Sequence, residues 1–72
     1  MNKEKFLEDL AEILEEESVQ ESDVLADFEA WDSLSILSII SYVSENYKKQ
    51  LKNEEIRSQK TVGDLFSYID NK

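Results

Sequence analysis

The sequence contains no cysteine, no histidine and no proline, and only one glycine, Gly63. Without cysteine, the chain can form neither a disulfide nor a thiolate metal site. Without histidine, it lacks the commonest general base and the usual zinc ligand. Its many carboxylates follow the polar faces of predicted helices, and no base, nucleophile or metal cluster converges among them. These absences argue against an enzyme and against a metal site.

Basic residues are scarce, and the formal net charge of the 72 residues is −9. Residues 1–36 hold twelve acids and two lysines, whereas residues 37–72 hold five acids and six bases. An acidic surface repels nucleic-acid phosphates and attracts basic protein surfaces, so we expect protein partners and no nucleic acid. No apolar run is long enough to span a membrane, and the first residues do not resemble a signal peptide. We therefore expect a cytoplasmic, soluble protein with a single domain, residues 1–72.

The hydrophobic spacing predicts an all-α fold with three main helices and one short helix around a single core. The first helix is predicted over residues 3–16 and the second over residues 33–48. A short helical segment follows, with Asn53 as its cap. A last helix begins at Thr61, where Thr61 and Asp64 resemble a capping box. Gly63, in the first turn of that helix, costs helix stability unless it allows a close approach to a neighbouring segment.

The predicted second helix has two different faces. One is the core stripe, formed by Ile36, Ile39, Ile40, Val43 and Tyr47. The opposite face carries Leu34, Leu37 and Ser41 in line with Ser33, and Ser35, Ser38 and Ser44 add small polar groups to the outer surface. Exposed leucines beside serines often mark a contact surface, although isolated exposed leucines are also ordinary.

A long loop over residues 17–31 separates the first two helices. We expect Val19, Val24, Leu25 and Phe28 to point inward and anchor it. A loop of this length is uncommon unless it has a function or contains a short helical turn.

The tripeptide Asp32-Ser33-Leu34 opens the second helix. Asp32 is a good N-cap, which places Ser33 at the first helical position with its hydroxyl exposed. The free N–H groups and the helix dipole there favour an anion, so the position suits a phosphate-linked group. A role limited to capping the helix would also account for Asp32 and Ser33.

The chain resembles the acyl carrier protein family from Phe6 to Ile69. The resemblance lies in an acidic first helix "FLEDLAEILEE", a long loop ending at Trp31, and a second helix that opens "DSLSILSIISYV". It continues through a short third helix "NEEI" and a last helix entered through "KTVGDLFSYI". The order and spacing of these segments match the family along nearly the whole chain. The segment "WDSL" is similar to free-standing carriers of specialised pathways at least as much as to the fatty-acid carrier.

This resemblance implies that Ser33 receives 4′-phosphopantetheine from coenzyme A, attached by a phosphopantetheinyl transferase that uses magnesium. The thiol of that group would hold acyl intermediates as thioesters for a loading ligase and acyl-transferring enzymes. The resemblance also implies that Asp32 belongs to the motif the transferase reads and that Leu34 contacts the transferase. Leu37 and Ser41 would face partner enzymes.

The second helix departs from the family, because fatty-acid carriers usually have acids where this helix has serines, and its main acid is Glu45. We therefore expect dedicated partner enzymes rather than the general fatty-acid synthase. A peptidyl, aryl or D-alanyl carrier loaded by an adenylating enzyme remains an alternative for the cargo. A helical interaction module that is not a carrier remains an alternative from another class.

Overall fold

The computed structural model describes residues 1–72, which form four α-helices without a β-strand. The helices are α1 (Lys3–Ile13), α2 (Ser33–Tyr47), α3 (Asn53–Arg57) and α4 (Val62–Asp70). Three of them are long and α3 has five residues. The predicted all-α architecture of three main helices and one short helix is confirmed.

One hydrophobic core joins all four helices and the long loop. Its buried members on α2 are Ile36, Ile39 and Val43, as the core stripe predicts. Ile40 and Tyr47 pack only partly buried against the edge of the core. The remaining buried hydrophobic residues are Phe6, Leu10, Ala11, Leu14, Val19, Leu25, Leu51, Ile56, Val62, Leu65, Phe66 and Ile69.

The loop before α2 is held by two buried side chains, Val19 and Leu25, while Phe28 packs partly buried against the core. The prediction that Val24 points inward is wrong, because this side chain is 38% exposed. The backbone explains the difference. Leu25 N–H donates to the Lys60 carbonyl at 2.9 Å, and Val24 forms an isolated bridge with Thr61. Neighbouring residues in extended pairing point to opposite sides, so burial of Leu25 turns Val24 outward.

The loop also contains the short helical turn that its length predicts, a 3₁₀ turn over Leu25–Asp27. The part of the loop before this turn is bonded to the start of α4. Gly63 N–H donates to the Glu21 carbonyl at 2.9 Å, and a Cβ on Gly63 would lie 3.2 Å from the same oxygen. Of the two possibilities for Gly63, the structure shows the close approach.

The first helix ends at Ile13, three residues earlier than predicted, because the chain closes it with a Schellman motif. Glu15 adopts a left-handed conformation with φ 59°. Its N–H donates to the Glu12 carbonyl, and Glu16 N–H reaches back to the Ala11 carbonyl at 2.9 Å. These two bonds satisfy carbonyls at the helix end, and glycine is the usual residue at the left-handed position.

We expect Glu15→Gly to stabilise the protein by about 0.5–1 kcal/mol, because it relieves the left-handed strain and removes an acid from the negative end of α1. Urea unfolding would measure the change. Glu16→Gly removes the same charge from a residue without positive φ, and we expect it to have no stabilising effect. Equal stabilisation by both substitutions would contradict the assignment of strain to Glu15.

Candidate functional site

The first turn of α2 is fixed by a capping box between Asp32 and Ser35. Ser35 N–H donates to Asp32 Oδ1 at 3.0 Å, and Asp32 N–H donates to Ser35 Oγ at 3.0 Å. Asp32 is therefore the N-cap, as predicted. Ser33 is the first residue of α2, and its side chain is exposed.

Ser35 differs from the prediction that it belongs to the polar outer surface. Its side chain is only 7% exposed, because the capping box turns the hydroxyl back towards the Asp32 N–H. Ser38 and Ser44 are exposed, as expected. The polar surface beside Ser33 therefore lacks one of its predicted members.

The capping box leaves two amides of the first turn open. The N–H of Ile36 donates to the Asp32 carbonyl, and that of Ser35 donates to the Asp32 side chain. The amides of Ser33 and Leu34 donate no hydrogen bond. Such open amides at the positive end of a helix form a favourable place for an anionic group.

An arginine from α3 contacts the Ser33 hydroxyl. Arg57 Nη2 donates to Ser33 Oγ at 3.0 Å, and Arg57 Nε donates to Asn53 Oδ1 at 2.6 Å. The prediction that Asn53 caps α3 is wrong: Lys52 occupies the cap position, and Asn53 is the first helical residue. One helical turn separates Asn53 from Arg57, so the amide can hold the guanidinium instead.

The sequence reasoning missed Arg57. Twenty-four residues separate it from Ser33, and no local pattern connects them. The only signal is compositional, because Arg57 is the single arginine of the chain.

The other predicted residues meet along an open groove between α1 and α2. Leu34 is 74% exposed and Leu37 is 53% exposed. Both line this groove together with Ser41. The exposed apolar face predicted beside Ser33 is therefore present in the fold.

A short polar network joins α1 to α2 in the wall of the groove. The Tyr42 hydroxyl donates to Asp9 Oδ2 at 2.6 Å, and Lys5 Nζ lies 2.9 Å from Asp9 Oδ1. The hydrogen bond from Tyr42 lowers the pKa of Asp9, and Lys5 lowers it further. Burial and the bond to Asp9 raise the pKa of Tyr42. Tyr47 is the next member of the network, with its hydroxyl 3.2 Å from that of Tyr42.

Comparisons with known proteins find relatives that match nearly the whole chain. An acyl carrier protein of Acidothermus cellulolyticus is 32% identical over 77 residues, which cover 99% of this chain and 92% of that protein. Acyl carrier proteins of Renibacterium salmoninarum and Kineococcus radiotolerans are 35% and 34% identical, over 92% and 94% of this chain and 89% and 91% of their own lengths. No protein-family model and no solved structure matches the chain.

The chain belongs to the acyl carrier protein family. Acyl carrier proteins are carriers rather than enzymes, so the chain functions with acyl-handling enzymes that supply the catalysis. None of the helices of this carrier has the length and apolar composition required to cross a membrane.

We expect Tyr42→Phe to destabilise the carrier by about 1–2 kcal/mol at neutral pH, because it removes a hydrogen bond to the ionised Asp9. The lowered pKa of Asp9 makes this contribution fully present above the unfolded pKa of about 3.9. It is lost as the pH falls through the folded pKa. Urea unfolding of both proteins at about pH 7 and about pH 3 should show the difference shrinking in acid.

Tyr47→Phe is the matched control, because it removes only the contact between the Tyr42 and Tyr47 hydroxyls. Its effect on stability should be nearly the same at both pH values. A Tyr42→Phe effect that does not depend on pH would show that the bond to Asp9 is not responsible.

Proposed function

We propose that Ser33 Oγ is the attachment point of a 4′-phosphopantetheine group derived from coenzyme A, and that the carrier presents acyl intermediates on this group. The observation that supports the proposal is the exposed hydroxyl at the first position of α2, next to two amides without acceptors. It occurs within the tripeptide Asp32-Ser33-Leu34 of a chain that belongs to the acyl carrier protein family.

The residues around Ser33 fit a phosphodiester. The open amides of Ser33 and Leu34 lie at the positive end of a fifteen-residue helix. Arg57 adds a permanent positive charge within hydrogen-bonding distance of the hydroxyl. Both features stabilise negative charge at this end of α2. The group would supply a thiol, which the chain itself lacks because it has no cysteine.

The neighbours of Ser33 have separate proposed roles. Asp32 Oδ1 is used in the capping box, whereas Oδ2 accepts no hydrogen bond and is available to a magnesium ion held by the transferase. The exposed Leu34 side chain is proposed to contact the phosphopantetheinyl transferase. Leu37 and Ser41, farther along the groove, are proposed to face the loading ligase and the acyl-transferring enzymes.

We also propose that residues 1–72 act as one monomeric carrier domain in the cytoplasm. The outer side of α2 between Asp32 and Glu45 carries no charge, which favours partners that dock by shape and apolar contact. We therefore propose that this carrier serves a dedicated biosynthetic pathway rather than the general fatty-acid synthase.

Ser33→Ala should abolish loading. Incubation of the purified protein with coenzyme A, magnesium and a broad-specificity phosphopantetheinyl transferase should add the mass of one phosphopantetheine to the wild type and nothing to the variant. Because Ser33 is exposed and does not contribute to the capping box, Ser33→Ala should change stability by no more than about 0.5 kcal/mol.

Ser38→Ala is the matched control, since it removes another exposed hydroxyl of α2. This variant should gain the same mass as the wild type. If the folded wild-type chain stays unmodified with several transferases, the carrier proposal fails. Ser33 would then serve only at the start of the helix, and the alternative function of a helical interaction module would be favoured.

Leu34→Ser should lower the kcat/KM of loading about tenfold, because a well-placed apolar contact contributes about 1.4 kcal/mol to recognition. Val24→Ser is the control, as Val24 is an exposed aliphatic residue in the loop before α2. Intact mass measured over time gives both rates. A similar loss in both variants would contradict a specific contact through Leu34.

A further inference from the structure

We propose that the Arg57 guanidinium binds the phosphodiester formed on Ser33 and restrains the first bonds of the arm beside α3, with Asn53 as its positioning residue. This inference rests on the proposed attachment at Ser33. It concerns a different element, because Arg57 and Asn53 belong to α3 and not to the Asp-Ser-Leu motif.

The position of Arg57 is the first support. Its Nη2 lies 3.0 Å from Ser33 Oγ, the atom to which phosphorus would be bonded. The two non-bridging phosphate oxygens would be bonded to that phosphorus, two bonds from Oγ and within reach of the Arg57 guanidinium. A guanidinium has five N–H donors in a planar fork, and here only Nε and Nη2 have a protein partner. The other N–H groups are free to donate to a phosphate oxygen.

The charge of Arg57 is the second support, because no carboxylate neutralises it. The chain has four ion pairs, and Arg57 belongs to none of them. They join Met1 to Asp70, Lys3 to Glu21, Lys5 to Asp9 and Lys72 to Glu55. In a protein with net charge −9, an arginine without an acidic partner beside a single exposed serine is available to an anion that is not part of the folded chain.

The orientation of Arg57 is the third support. Asn53 Oδ1 accepts from Nε at 2.6 Å, which holds the guanidinium from one side and directs Nη2 towards Ser33. The helix that carries both residues packs against α2 and is anchored by the buried Ile56. A guanidinium already oriented in this way loses less side-chain entropy when it binds phosphate.

The test uses nuclear magnetic resonance on the loaded wild-type carrier, after intact mass has shown complete addition of phosphopantetheine. Arg57 is the only arginine, so its Nε–Hε signal is unambiguous, and the loaded protein contains a single phosphorus. Loading should shift the Arg57 Nε–Hε signal and slow the exchange of the guanidinium protons with water. Arg57→Gln should shift the phosphorus signal, and Asn53→Ala should shift it in the same direction by less.

Lys60→Gln is the matched control, because it removes one positive charge from an exposed side chain that makes neither an ion pair nor a hydrogen bond. Its phosphorus signal should remain that of the wild type. Loading should also raise the melting temperature of the wild type about 2–4 °C more than that of Arg57→Gln, an advantage that shrinks in high salt.

Three outcomes would overturn the inference. A loaded wild type whose Arg57 signal matches that of the unloaded protein would exclude the contact while leaving the attachment at Ser33 intact. A phosphorus shift as large in Lys60→Gln as in Arg57→Gln would show that the shift depends on the overall charge and not on a contact with Arg57. A chain that gains no phosphopantetheine would overturn the attachment, and the inference with it.

Discussion

The reciprocal hydrogen bonds between Asp32 and Ser35 determine the residue at which α2 begins, and the geometry of the site follows from that residue. With Asp32 as the cap, Ser33 falls at the first helical position, where a side chain points away from the core. The same start leaves the amides of Ser33 and Leu34 without acceptors. A start one residue later would place a different side chain beside these donors and rotate every later residue of α2 by about 100°.

The rotation of α2 about its axis then separates the core from the contact surface. Ile36, Ile39 and Val43 are fully buried, so burial of apolar area holds this rotation far more strongly than the cap alone could. Leu34 and Leu37 are consequently turned outward into the groove beside α1. The cap and the core stripe therefore specify the same register. Because the cap and the core stripe agree, Leu34 and Leu37 stay exposed next to Ser33 while the isoleucines and Val43 fill the core.

The sequence predicted those features that depend on local chemistry or on helical periodicity. The four helices and the cap at Asp32 belong to this class, and all of them are present. Some errors arose from local hydrogen bonds that compete with the predicted ones, as at the buried Ser35, at the early end of α1, and at Asn53, which binds Arg57 one turn later. Another error arose from a tertiary contact, because a backbone bridge to a residue 37 positions away turns Val24 outward. The contact between Arg57 and Ser33 is of the same kind, since nothing in either segment encodes the other.

The uncharged segment from Ser33 to Ser44 fits the proposed attachment of an anionic group at Ser33. Residues 1–32 are strongly acidic, and further acids in the first turns of α2 would add to the negative charge near a phosphodiester at Ser33. Serines in those turns keep the helix surface polar without adding negative charge. The single arginine then supplies a positive charge beside Ser33, from a helix that packs against α2. Neutral residues on α2 and one cation on α3 thus make the same position favourable for an anion in an otherwise acidic protein.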